Sequence, residues 1–196
     1  MKKQLWQAGL AALALVSLTA QAHFKLDTPA SWIVQDDKGD PQKMAPCGGT
    51  MADGGTRTGA VTELQGGSMM PLAVTETVYH PGHYRVALAR RINLLPGDPV
   101  AVLKQTDNGT RSDHGVIVEN PQLPVLVDGL WKSQQRRTGP LATEVRIPNV
   151  DCEGCVVQVL QFMENHPGFR EGGYSYHHCA IVNIKADASK PLDSNW

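Results

Sequence analysis

Aromatic residues make up only 6% of the 196-residue chain, and neither charge sign dominates, with 18 Lys and Arg against 19 Asp and Glu. Beyond the N-terminus no basic run exceeds two residues, so the electrostatic footprint of a nucleic-acid binder is missing and no nucleic-acid partner is expected. No apolar run reaches the ~20 residues that a membrane-spanning helix needs. A Gly-x-Ser-x-Gly elbow is absent, as is a Gly-rich phosphate loop after a strand, which removes the ordinary hydrolase and nucleotide-binding readings. No amphipathic pattern persists over several helical turns, which disfavours a helical bundle.

What the chain does have is glycine and proline, 19 and 13 residues, between short Val-rich runs. Those runs predict strands at 84–88, 100–104, 115–118, 123–127, 144–147, 155–162 and 174–184, a spacing that suggests an all-β sandwich. Pro96-Gly97-Asp98, Asp107-Asn108-Gly109 and Gly172-Gly173 read as turns between them. Asn108-Gly109-Thr110 also fits a glycosylation sequon, with the hairpin turn as the preferred reading. Residues 23 to about 70, rich in Gly, Pro, Asp and Met, read as long loops with few strands.

The N-terminus opens with Lys2-Lys3, continues through a short apolar stretch at 8–16 (AGLAALALV) and ends in Ala20-Gln21-Ala22. These are the three parts of a cleavable secretory signal. Residues 1–22 are therefore expected to be removed, leaving 23–196 as one mildly acidic domain, secreted or periplasmic, with no stable membrane insertion and a monomeric state. In an oxidising compartment Cys47, Cys152, Cys155 and Cys179 are expected as disulfides. Of the three pairings, Cys152 with Cys155 and Cys47 with Cys179 is favoured, the first as a staple in a tight loop ahead of a strand.

Cleavage after Ala22 makes His23 the first residue. A terminal histidine has a free α-amino group close enough to its imidazole for both nitrogens to bind one metal, and a second imidazole completes a T of three nitrogens. Such a nitrogen set suits Cu(II), and an α-amine with a pKa of roughly 7.7 to 8.0 yields its proton readily to a competing metal. The second imidazole is expected from His80 or His83, which flank a Pro-Gly turn just before the strand at Tyr84. His114 and His166 read as surface histidines. Met44, Met51, Met69 and Met70 are soft donors suited to Cu(I), though gap-filling explains them better.

His23-Phe24 behind Ala-Gln-Ala resembles the start of lytic polysaccharide monooxygenases and related histidine-brace copper proteins. The likeness extends through Pro46-Cys47-Gly48-Gly49, His80-Pro81-Gly82-His83-Tyr84 and Tyr176-His177-His178-Cys179, most of the expected mature chain in order. It is nearest to a bacterial polysaccharide monooxygenase-like group, with a likeness to fungal brace proteins of copper acquisition. The resemblance implies an immunoglobulin- or fibronectin-like β-sandwich with long loops and a surface copper, favours His80 as the second ligand with His83 as alternative or supporting partner, and places Tyr176 axially. Strand alternation puts Tyr174, Tyr176 and His178 on one face and Ser175, His177 and Cys179 on the other, so His178 becomes the candidate acid or base beside Tyr176. The sequence departs from the family at Tyr174, where Gln is frequent, and in its His177-His178 pair.

Two functions share this site. One is oxidation of carbohydrate C–H bonds, with a polysaccharide as substrate. The other is non-catalytic copper capture, buffering or delivery with a copper-trafficking partner, which the sparse aromatics and Met-containing loops suit.

Overall fold

The computed structural model describes residues 22–133, 135–170 and 173–196. Apart from Ala22, the expected signal segment lies outside the described residues, as does half of the Gly172-Gly173 turn.

The described residues form ten strands: β1 (His23–Thr28), β2 (Val61–Gln65), β3 (Met69–Val78), β4 (Gly82–Ala89), β5 (Ala101–Thr106), β6 (Gly109–Gly115), β7 (Val125–Ser133), β8 (Leu141–Arg146), β9 (Cys152–Met163) and β10 (Ser175–Lys185). A three-stranded sheet ordered β1-β3-β8 packs on a five-stranded sheet ordered β2-β10-β9-β4-β7, and β5 with β6 makes a separate hairpin. The fold is thus the expected all-β sandwich. Among the described residues the only helical element is a single 3-10 turn, Ile92–Leu94, and no helix is long and apolar enough to cross a membrane.

Alternation sorts the side chains. Tyr84, Val86 and Leu88 of β4, Val157, Val159 and Met163 of β9, and Tyr176, Ala180 and Val182 of β10 meet Phe24, Leu26, Met70, Leu72 and Val74 from the opposing sheet. Each such burial contributes roughly 1.5–3 kcal/mol. The other face of the five-stranded sheet is covered as well. There Arg85 donates to the Gly97 carbonyl at 2.7 Å and His177 Nε2 meets Asp98 Oδ1 at 2.8 Å, which pins the segment before β5 to the sheet. With both faces covered, β4 and the Cys155–Met163 part of β9 are buried along their whole length, which is why β9 reads as a nearly continuous apolar run.

One strand boundary is corrected here, while the loop-rich reading of the first third holds. As expected, the segment 23–70 is mostly loop, supplying only β1, β2 and the first two residues of β3. Pro71, which argues against a central strand, is tolerated because β1 pairs only with residues 73–78 of β3 and leaves the Pro71 side open. The strand expected at 115–118 is shifted to β6, which ends at Gly115.

Both disulfides pair as expected, Cys47 with Cys179 and Cys152 with Cys155. The Cys152–Cys155 pair belongs to β9 itself rather than to a loop ahead of it, opposite a register shift between Val182 and Ile184 of β10. The Asp107-Asn108 turn joins β5 and β6 as a hairpin, with Thr106 opposite Gly109.

Candidate metal centre

β1 begins at the edge of the sandwich with His23 opposite Val78, two residues before His80. The His23 ring is buried, 2% exposed. Its Nε2 lies 3.0 Å from Asp40 Oδ2, and since an ionised carboxylate only accepts, Nε2 carries the proton. In the neutral ring that leaves the lone pair on Nδ1, which is buried with no hydrogen-bond partner. The bond from His23 holds the Asp40 carboxyl below its usual range.

His80 arrives from the β3–β4 connection. Its Nδ1 lies 3.1 Å from the Pro81 carbonyl oxygen, so Nδ1 is the donor and Nε2 keeps the lone pair. Burial lowers the His80 pKa and favours this neutral ring. Gly82 permits the turn into β4: its φ is +151°, and a side chain there would strike the Phe162 carbonyl.

An arc of rings joins the two imidazoles. His23 tilts against Tyr176 at 5.2 Å, Tyr176 stacks on Phe169 at 4.8 Å, Phe169 meets His166 at 4.6 Å, and His166 meets His80 edge-on at 5.5 Å. His166, expected at the surface, is 3% exposed. Its Nδ1 accepts from the Gly168 N–H, and the β6 residue Ser112 bonds its backbone on both sides. His114 does lie at the surface, paired with Asp113.

The remaining candidates stand apart from this arc. His83 follows the outward alternation of β4, on the face away from Tyr84 and Tyr176. It stacks on Phe162 at 5.5 Å and approaches Asp128 at 3.5 Å, fully buried. Asp128 is itself held by the Val118 and Gly129 amides. His178 shares the inner face with Tyr176, as alternation requires, but its Nε2 donates to the Phe24 carbonyl at 3.0 Å and its ring meets Phe24 edge-on at 4.8 Å. Below the arc, Glu76 accepts from Tyr84 at 3.2 Å and from Gln161 at 3.4 Å, and burial raises its pKa.

Burial pushes the His178 pKa down to about 4 and lowers that of His83 as well. An unfolded histidine titrates near 6.5, so between pH 6.5 and 4 the unfolded state takes up protons that the folded state refuses. Stability is complete above pH 6.5 and falls as pH drops toward 4, by about 3 kcal/mol for His178 alone. Urea midpoints at pH 7.5 and 4.5 should show the loss, and His178→Gln should flatten it; an unchanged slope in that variant would refute the assignment.

Sequence reasoning missed Asp40, Phe169, Glu76, Gln161 and the placement of His166. Only His166 left a signal: His-Pro-Gly occurs at 80–82 and again at 166–168, and the fold brings the two histidines together. Among the described residues no three His, Cys, Asp or Glu side chains are placed to hold a metal ion. A metal here therefore needs a donor that is not a side chain. The His23 nitrogen is such a donor, but as an amine only once the Ala22–His23 peptide bond is cut.

Comparison with protein-family models and with curated proteins returns no match. Among solved structures the chain is similar to a lytic polysaccharide monooxygenase, AA15, from Thermobia domestica in the Cu(I) state, with a TM-score of 0.54 and 15% sequence identity over 83% of this chain and 99% of that one. What the two share is the fold, so the likeness places this chain among β-sandwiches of similar architecture.

Proposed function

We propose that the protein is an exported histidine-brace copper protein of the polysaccharide monooxygenase-like kind, acting after removal of residues 1–22 and oxidising carbohydrate C–H bonds. The observation that carries the copper reading is the pair of tautomers. His23 offers Nδ1 because Asp40 engages Nε2, and His80 offers Nε2 because Pro81 engages Nδ1. With the α-amine of His23 these nitrogens would hold the ion, and copper would supply one-electron redox chemistry. Tyr176, buried against His23, closes the inner side of the site and keeps water from it. His83 supports the turn that carries His80. His178 acts from below by holding the Phe24 carbonyl, and so the start of β1.

One observation favours the second reading, non-catalytic copper capture or delivery: among the described residues every Trp, Tyr and Phe is at least half buried or packed on another ring, and none forms an exposed platform. A sugar-stacking surface of the usual aromatic kind is thus missing.

Cu(II) titration of the protein beginning at His23, followed by electron paramagnetic resonance, tests the brace. Tight 1:1 binding with nitrogen hyperfine structure is expected, and one extra N-terminal alanine should abolish both. Equal, weak binding by the two forms would overturn the copper reading. Assays of the loaded protein with a reductant and a panel of polysaccharides then separate oxidation from capture.

A further inference from the structure

We propose that Asp40 is a positioning residue, whose carboxylate fixes the His23 ring with Nδ1 toward the metal and biases the bound ion toward Cu(II). The inference rests on the copper reading and deepens it. His23 is buried, its Nε2 is 3.0 Å from Asp40 Oδ2, and its Nδ1 has no protein partner. The other tautomer would set the Nε2 lone pair against a carboxylate oxygen, so the pair tolerates only one orientation of the proton.

The loop carrying Asp40 is built to hold the carboxylate still. Asp36 Oδ1 accepts the backbone N–H groups of Lys38 and Asp40 at 2.8 and 2.9 Å, and the Asp36 N–H donates to the Asp40 carbonyl. Gly39, at a φ of +99°, lies flat against the Phe24 carbonyl where a side chain would collide. Gln42 Oε1 accepts the Phe24 N–H at 3.2 Å, and the Cys47–Cys179 disulfide ties the far end of the loop to β10. An incidental surface ion pair has no such support.

The electronic effect follows from charge. A carboxylate that accepts the outer N–H of a metal-bound imidazole makes that imidazole a stronger donor. The added electron density stabilises the doubly charged ion more than the singly charged one, so the Cu(II)/Cu(I) potential falls. Asp40 therefore makes the site a Cu(II) keeper and raises its affinity for the oxidised ion.

The test uses the protein beginning at His23, with Asp40→Ala, Asp40→Asn and, as a control for loss of one loop charge, the exposed Asp37→Asn. In the metal-free wild type, nitrogen-15 NMR of the His23 ring should report the Nε2–H tautomer. Asp40→Ala should release it to a mixture and weaken Cu(II) binding by about 10- to 100-fold. With Cu(I) affinity unchanged, the potential should rise by about 59 mV for each tenfold. Asp40→Asn, which keeps an acceptor but loses the charge, should retain the tautomer and show the rise in potential. Asp37→Asn should change neither. A wild-type tautomer and potential in Asp40→Ala would overturn the proposal, as would an equal shift in Asp37→Asn. Failure of the wild type to bind Cu(II) would remove the copper reading and the Cu(II) bias with it, while the metal-free NMR still decides the tautomer lock.

Discussion

His80→Ala should cost Cu(II) affinity on the order of 100-fold or more, with a modest change in stability, whereas His83→Ala should do the reverse. The two histidines are three residues apart and flank the same turn, yet they serve different layers. His80 keeps Nε2 free, with its Nδ1 spent on the Pro81 carbonyl and its ring against His166. His83 is sealed between Phe162 and the backbone of Gly115, where even a single added carbon on Gly115 would lie 3.0 Å from its Cε1. Truncating it leaves a cavity in a packed layer, which costs about 3 kcal/mol for a ring of this size. For a domain of this length that corresponds to a fall of roughly 6–12 °C in Tm. Calorimetric titration and thermal unfolding on the same two variants read both effects. Equal or inverted losses of Cu(II) affinity would sink the choice of His80 over His83.

That contrast also shows why the sequence left the two open. Both precede or enter a strand after Pro-Gly, and only the register decides which ring points where: Tyr84 pairs with Gln161 and His83 with Phe162, so alternation sends His83 outward. The same alternation was legible at 175–179, because β10 is long and central, and it correctly separated Tyr176 and His178 from His177, whereas Tyr174, expected on their face, precedes β10 and packs on Phe162, on the His83 side. β9 was legible for the same reason. β1 and β3 were not. Their inward residues, Phe24, Leu26, Met70, Leu72 and Val74, alternate with Lys, Asp, Pro and Thr, and glycine-rich loops surround them, so a pattern of period two is diluted by turn residues. The disulfide pairing was legible because the CxxC leaves one other pair. Asp40 and His166 were invisible for a different reason, since each meets its histidine only through long-range contacts, Asp40 across 17 residues and His166 across 86, and a single sequence encodes no such pairing.

Replacing Cys47 and Cys179 together by serine should destabilise the protein by about 5 kcal/mol, against about 2 kcal/mol for Cys152 and Cys155. Each disulfide restricts the unfolded chain by an amount that grows with the logarithm of the loop it closes, and the separations are 132 and 3 residues. Five kcal/mol is comparable to the whole stability of many domains, so the first variant should be marginal at room temperature. Its local contacts soften the loss without replacing the link: Trp32 Nε1 donates to the Cys47 carbonyl at 3.1 Å, the Trp32 N–H to the Cys179 carbonyl at 2.9 Å, and Gln158 Nε2 to the Pro46 carbonyl at 2.8 Å. All three hold the Cys47 end of the loop whose other end presents Asp40 to His23. Loosening that end should therefore reach the metal centre before the protein unfolds globally. Urea titrations of both double variants, with Cu(II) affinity measured where each is still folded, check the two effects. Equal destabilisation by the two pairs would defeat the loop-length account. Unchanged Cu(II) affinity in folded Cys47→Ser, Cys179→Ser protein would show that the contacts of Gln42 and Gly39 with Phe24 hold Asp40 in place without the covalent tie.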